Sequence, residues 1–114
     1  MSDTIYIVKV PRSARGDSYF FATREDAEDF LQLETDAYLT RCRKRLTAAY
    51  EDLVMRCTEN NIAAQALIDA GIENPLIALQ TAPSRDNYII PRLRREEEFF
   101  SAQTRITEVH RYVQ

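Results

Sequence analysis

The sequence predicts an α+β fold: a small antiparallel sheet, formed by an N-terminal hairpin and a C-terminal strand, packed against one long and two short helices. Three observations lead there. No glycine or proline falls between Gly16 and Gly71, and apolar residues recur through that stretch at helical spacing. Two short runs rich in β-branched and aromatic residues, Ile5–Val10 and Tyr19–Ala22, flank a turn-forming segment. A third such run, 104–113, closes the chain. At 114 residues, one domain spanning 1–114 is expected.

The elements follow in order. Ile5-Tyr6-Ile7-Val8-Lys9-Val10 reads as a strand stopped by Pro11. Residues Ser13–Ser18 read as a turn, with Gly16 free to take positive φ, and Tyr19–Ala22 as the returning strand. Arg15-Gly16-Asp17 spells an integrin tripeptide and is read as part of that turn. Thr23 caps a helix, with Thr23-x-x-Asp26 at capping-box spacing. Glu25, Asp26, Glu28 and Asp29 suit the positive end of the helix dipole. The stripe Ala27, Phe30/Leu31, Tyr38, Cys42, Leu46, Ala49/Tyr50, Leu53, Cys57 carries the helix to Thr58.

Such a helix would reach about 52 Å. It must therefore bend or break around Asp36–Thr40, or project and pair with a second copy. Asn60-Asn61 reads as a break, followed by a short helix over 62–70 with Gly71 at its C′ position. Pro75–Gln80 reads as a second short helix, Thr81–Asn87 as a loop and Tyr88–Ile90 as strand. Arg92–Phe100 fits either state. For 104–113 the β-branched content favours strand over a competing helical seam. The expected core is Ile5, Ile7, Phe20, Phe30, Leu46, Leu53, Leu67, Ile77, Ile106 and Val109.

Composition excludes several classes. The chain is 45% hydrophobic and 29% charged, too apolar for disorder along its whole length. No apolar run is long enough for a membrane span, and the first residues lack a signal-peptide pattern. Cys42 and Cys57 sit fifteen positions apart on one expected helix, about 22 Å, which is beyond disulfide reach. Two buried thiols in a reducing cytoplasm fit that arrangement.

Net charge is −3, but the charges are grouped. Residues 1–40 carry eight acids and four bases, 41–57 two acids and five bases, and 58–90 four acids and one base. Arg41, Arg43, Lys44 and Arg45 form the sharpest cluster and the candidate partner-binding site. On a helix Arg41, Lys44 and Arg45 share a side, and like charges at that spacing repel. Arg92, Arg94, Arg95, Glu96, Glu97 and Glu98 form a secondary, mixed-charge face.

Catalytic apparatus is not visible in the sequence. His110 is the one histidine and reads as structural. Three adjacent glutamates at 96–98 point in different directions on either a helix or a strand, so no metal site is expected. With two glycines in the chain, no phosphate-cradling loop exists and no cofactor is expected.

A short strand–turn–strand followed by Thr23-Arg24-Glu25-Asp26-Ala27-Glu28-Asp29-Phe30 resembles, in style, short accessory proteins of phages and mobile elements. The resemblance covers about the first thirty residues and implies binding and inhibition of a host or defence component. The leading expectation is a small, non-enzymatic, homo-oligomeric cytoplasmic protein that binds another protein. The alternative is a nucleic-acid-associated regulator that uses the Arg41–Arg45 patch.

Overall fold

A computed structural model describes residues 2–11, 17–74 and 76–112. The elements are β1 (Ser2–Val10), β2 (Asp17–Phe21), α1 (Arg24–Asp69), α2 (Arg85–Gln103) and β3 (Arg105–Tyr112). The fold is α+β, with a three-stranded antiparallel sheet in the order β2-β1-β3. The chain divides into two compact units, Met1–Cys42 with Leu93–Gln114, and Arg43–Arg92. Of the turn expected over Ser13–Ser18, residues 13–16, with Arg15 and Gly16 of the tripeptide, lie outside the described residues, as does Pro75, while Asp17 and Ser18 already belong to β2, where they pair with Val10 and Lys9.

In the sheet unit, β1 is central. It pairs with β2 from Tyr6↔Phe21 to Val10↔Asp17, and with β3 from Ser2↔Tyr112 to Lys9↔Arg105. The C-terminal strand expected over 104–113 is therefore present and supplies the partner the hairpin needed. Val8, Val10, Ala27 and Phe100 form the buried core, with Tyr6, Tyr19, Phe21, Phe30, Leu31, Tyr38 and Ile106 packed against it. Phe30 sits between Tyr19 (centroids 4.6 Å apart) and Phe21 (5.1 Å), and Tyr38 stacks on Phe100 at 4.6 Å.

The inward face of β1 thus carries Tyr6, Val8 and Val10. The expectation of Ile5, Ile7, Phe20 and Val109 as core is corrected. They share the opposite sheet face, where Phe20 is 67% and Val109 41% exposed. Strand alternation explains it: Lys9 lies on the Ile5–Ile7 face, and a lysine belongs on the solvated side. Ile106 and Phe30 do pack on the core, as expected.

Helix α1 is one helix of 46 residues. It starts where expected, with the Asp26 amide donating to Thr23 Oγ1 at 3.2 Å. The stripe from Ala27 to Cys57 is buried or half-buried throughout. The breaks expected at Asn60-Asn61 and at 36–40 do not occur: helical backbone runs through both. Thr35, Thr40 and Thr58 donate their hydroxyls to the carbonyls four residues back, so these side chains find their partners within the helix. Asn60, Asn61, Ala64 and Leu67 simply continue the inward stripe. The two asparagines spend their amides on a neighbouring loop instead of ending the helix.

The helix ends at the predicted glycine. Gly71 has φ of 72°, its amide bonds to Ile68 O (3.0 Å), and the Ile72 amide bonds to Leu67 O (2.9 Å). This is the Schellman arrangement, whose accompanying apolar pair is Leu67 with Ile72.

Two further expectations change. Residues 76–80 form an irregular, turn-containing segment in place of a second short helix. Tyr88–Ile90 is helical, because α2 begins at Arg85. Ser84 Oγ accepts the Asn87 amide (3.2 Å) and Ser84 O accepts the Tyr88 amide (3.1 Å), which nucleates the helix. Pro91 then lies inside α2, where it removes one backbone bond. Burial of Ile89 offsets that loss within the Arg43–Arg92 unit. So does the Tyr50–Tyr88 contact at 5.5 Å, with Tyr50 Oη donating to Pro83 O at 2.8 Å. Leu46, Leu53, Leu67 and Ile77 are half-buried in this unit, while Cys57, Ala64 and Ile89 are its buried residues.

Candidate functional site

The sequence-derived basic segment lies on α1, and Arg41, Arg43, Lys44 and Arg45 are all exposed. Arg41, Arg43 and Lys44 make no ion pair among the described residues. The segment is a solvated basic stretch.

The charged run on α2 is less uniform than the sequence suggested. Arg92 is half-buried, stacked over the Tyr88 ring at 3.8 Å and donating to Tyr88 O at 3.0 Å. Glu96 is half-buried and accepts the Tyr38 hydroxyl at 2.7 Å. Burial and that carboxylate push the Tyr38 hydroxyl well above the ordinary tyrosine range, with Cys42 beside it adding to the shift. Both residues therefore serve the interior. Arg94, Arg95, Glu97 and Glu98 remain exposed.

His110 sits on β3 opposite Thr4, with Nδ1 3.1 Å from Thr4 Oγ1 and Nε2 3.3 Å from Glu108 Oε1. Arg24 donates to the other Glu108 oxygen at 3.2 Å. Hydroxyl, imidazole and carboxylate stand in series, but Arg24, Glu108 and His110 are each more than a third exposed. In water such pairs carry little energy, and the row reads as a cross-strand polar ladder on a wetted sheet end. Among the described residues no group of three or more acids, cysteines or histidines is placed to hold a metal. No described helix is long and apolar enough to cross a membrane.

What sequence reasoning missed lies in the Arg43–Arg92 unit. The last turns of α1 and the segment after Gly71 enclose an open, apolar hollow of about 570 Å3, lined chiefly by Ala64, Leu67, Ile68, Ile72, Ile77 and Leu79. Ile68 (54%), Ile72 (55%) and Leu79 (56%) are exposed around it, and neighbouring Leu76 is 91% exposed.

The wall is held by amide side chains. Asn61 Nδ2 donates to Gln80 O (2.7 Å) while its Oδ1 accepts the Gln80 amide (2.8 Å), mimicking a β-bridge. Asn60 Nδ2 donates to Ala78 O at 2.7 Å. Asn74 Oδ1 accepts the Leu76 amide at 3.0 Å. The Cys57 thiol reaches Gln80 Oε1 at 3.9 Å. The one advance signal was the placement of Asn60 and Asn61 on the apolar stripe, where a half-buried amide needs partners.

No protein-family model, curated protein or solved structure matches this chain.

Proposed function

We propose that the chain is a protein-binding module and that the apolar hollow of the Arg43–Arg92 unit is its docking surface. One observation carries the reading: aliphatic side chains stand exposed around a hollow whose wall is fixed by paired backbone bonds from Asn60 and Asn61. Clustered exposed aliphatics cost solubility and mark interaction sites. A fixed wall loses little conformational freedom on binding, so more of the burial energy becomes affinity. In this reading the chain acts by occupying its partner, and inhibition of a host or defence component is the natural form of that activity.

The test compares affinity capture by three purified proteins. Wild type, an Ile72→Asn/Leu79→Asn double variant, and an Ile62→Asn control exposed on the same helix but off the hollow are run in parallel. Proteins held by wild type and the control but lost by the double variant support the reading. Identical capture by all three defeats it. A second reading, nucleic-acid binding through Arg41, Arg43 and Lys44, is favoured by their exposure without ion pairs. It requires a gel-shift affinity that falls steeply with salt.

A further inference from the structure

We infer that the occupant of the hollow is a basic amphipathic helix of another protein, with aliphatic anchors one turn apart and Lys or Arg on their flanks. This rests on the reading of the hollow as a docking surface. Charge argues for the basic flank. From Cys57 to Ser84 the chain carries Glu59, Asp69 and Glu73 and no basic residue. Glu73 lines the hollow, and Asp69 is the last residue of α1.

The hollow is also built on the C-terminal end of α1, where the helix dipole is negative and no basic residue occupies the last turn. Field and formal charge therefore have the same sign at one rim. A second copy placed hollow to hollow would set acid against acid and one negative dipole end against another, which disfavours self-association here. The backbone argues for a helix. The Arg43–Arg92 unit has no strand among its described residues, so strand addition has no edge to use there, whereas an aliphatic hollow walled by the end of one helix suits the apolar face of another.

The test uses two labelled synthetic helical peptides with the same leucine seam, one flanked by lysines and one by glutamates. Each is titrated with the full chain by fluorescence anisotropy at low and physiological salt. The lysine peptide is expected to bind at least about tenfold tighter than the glutamate peptide and to weaken as salt rises. Leu79→Asn should weaken it about tenfold through lost apolar contact, and Glu73→Lys about fivefold at low salt.

Equal binding of the two peptides, indifference to Leu79→Asn, or no binding of either overturns the inference. So does a dimer in light scattering that Leu79→Asn dissolves, since the occupant would then be a second copy. If neither peptide binds while captured proteins still depend on Ile72 and Leu79, only the basic-helix assignment fails. If capture ignores those two residues, the docking surface itself fails. Retained slow exchange of the Gln80 amide shows that each variant keeps the hollow's wall.

Discussion

Replacing Asn61 with alanine separates two accounts of the Asn60-Asn61 pair. A helix-breaking pair would make alanine stabilising, because Ala is the better helix former by about 0.6 kcal/mol. The geometry predicts the opposite. Asn61 exchanges two backbone hydrogen bonds with Gln80, at 2.7 and 2.8 Å. Each has a net worth of about 1 kcal/mol, so about 2 kcal/mol is lost.

Gln80 is exposed, which lets water recover part of that loss, and the helix propensity of alanine returns about 0.6 kcal/mol. The net expectation is destabilisation of about 1 kcal/mol, read as a lower urea midpoint with an unchanged slope. Asn61→Asp keeps the acceptor for the Gln80 amide but loses the donor to Gln80 O, and should fall between. Hydrogen exchange supplies the local readout: Gln80 should lose its protection in Asn61→Ala and retain some in Asn61→Asp. A stability equal to or above wild type, with Gln80 exchange unchanged, would refute the reasoning.

Three further outcomes are expected. Phe100→Ala should cost about 3–5 kcal/mol in a denaturation series, since the ring is 3% exposed and stacked on Tyr38, whereas Phe20→Ala on the outer sheet face should cost under about 1 kcal/mol. Gly71→Ala should lose about 1 kcal/mol by urea titration, entirely from the φ of 72°, because an added Cβ meets nothing within 4 Å. The raised Tyr38 hydroxyl favours the protonated form in the fold, so its stabilising share is complete below the ordinary value of 10.0. It is lost as pH climbs above that value toward the folded one, because the unfolded chain releases its proton first. Stability measured from pH 9 upward should therefore fall less steeply in Tyr38→Phe than in wild type, and parallel curves would remove Tyr38 from the account.

Features fixed by near neighbours were legible in the sequence. The Thr23 cap, the Gly71 stop and the stripe from Ala27 to Cys57 each depend on residues within about one turn, and each stands where the pattern put it. Of the features decided by distant contacts, the strand over 105–112 was legible from its β-branched content, and others were not. Tyr88-Ile89-Ile90 before Pro91 has strand composition, yet the Ser84 cap and packing on Tyr50 make it helical. Ile5–Val10 is apolar on both faces, and the parity of Lys9 was the overlooked signal for which face turns inward. The hollow's wall is held by bonds from Asn60 and Asn61 of α1 to the backbone of Ala78 and Gln80, which no local pattern encodes.

The strand order has a consequence for how this chain comes into being. β1 is made well before β3, yet β3 is one of its two neighbours, and the paired residues Thr4 and His110 are separated by 106 positions. Until the ribosome has delivered β3, one whole side of β1 is a bare template, with Tyr6 and Val8 on one face and Ile5 and Ile7 on the other. Contacts this distant in sequence form late and slow folding, and an unpaired apolar strand is open to wrong partners while it waits. The nascent chain is thus open to aggregation along β1 through the interval that ends when residues 105–112 emerge.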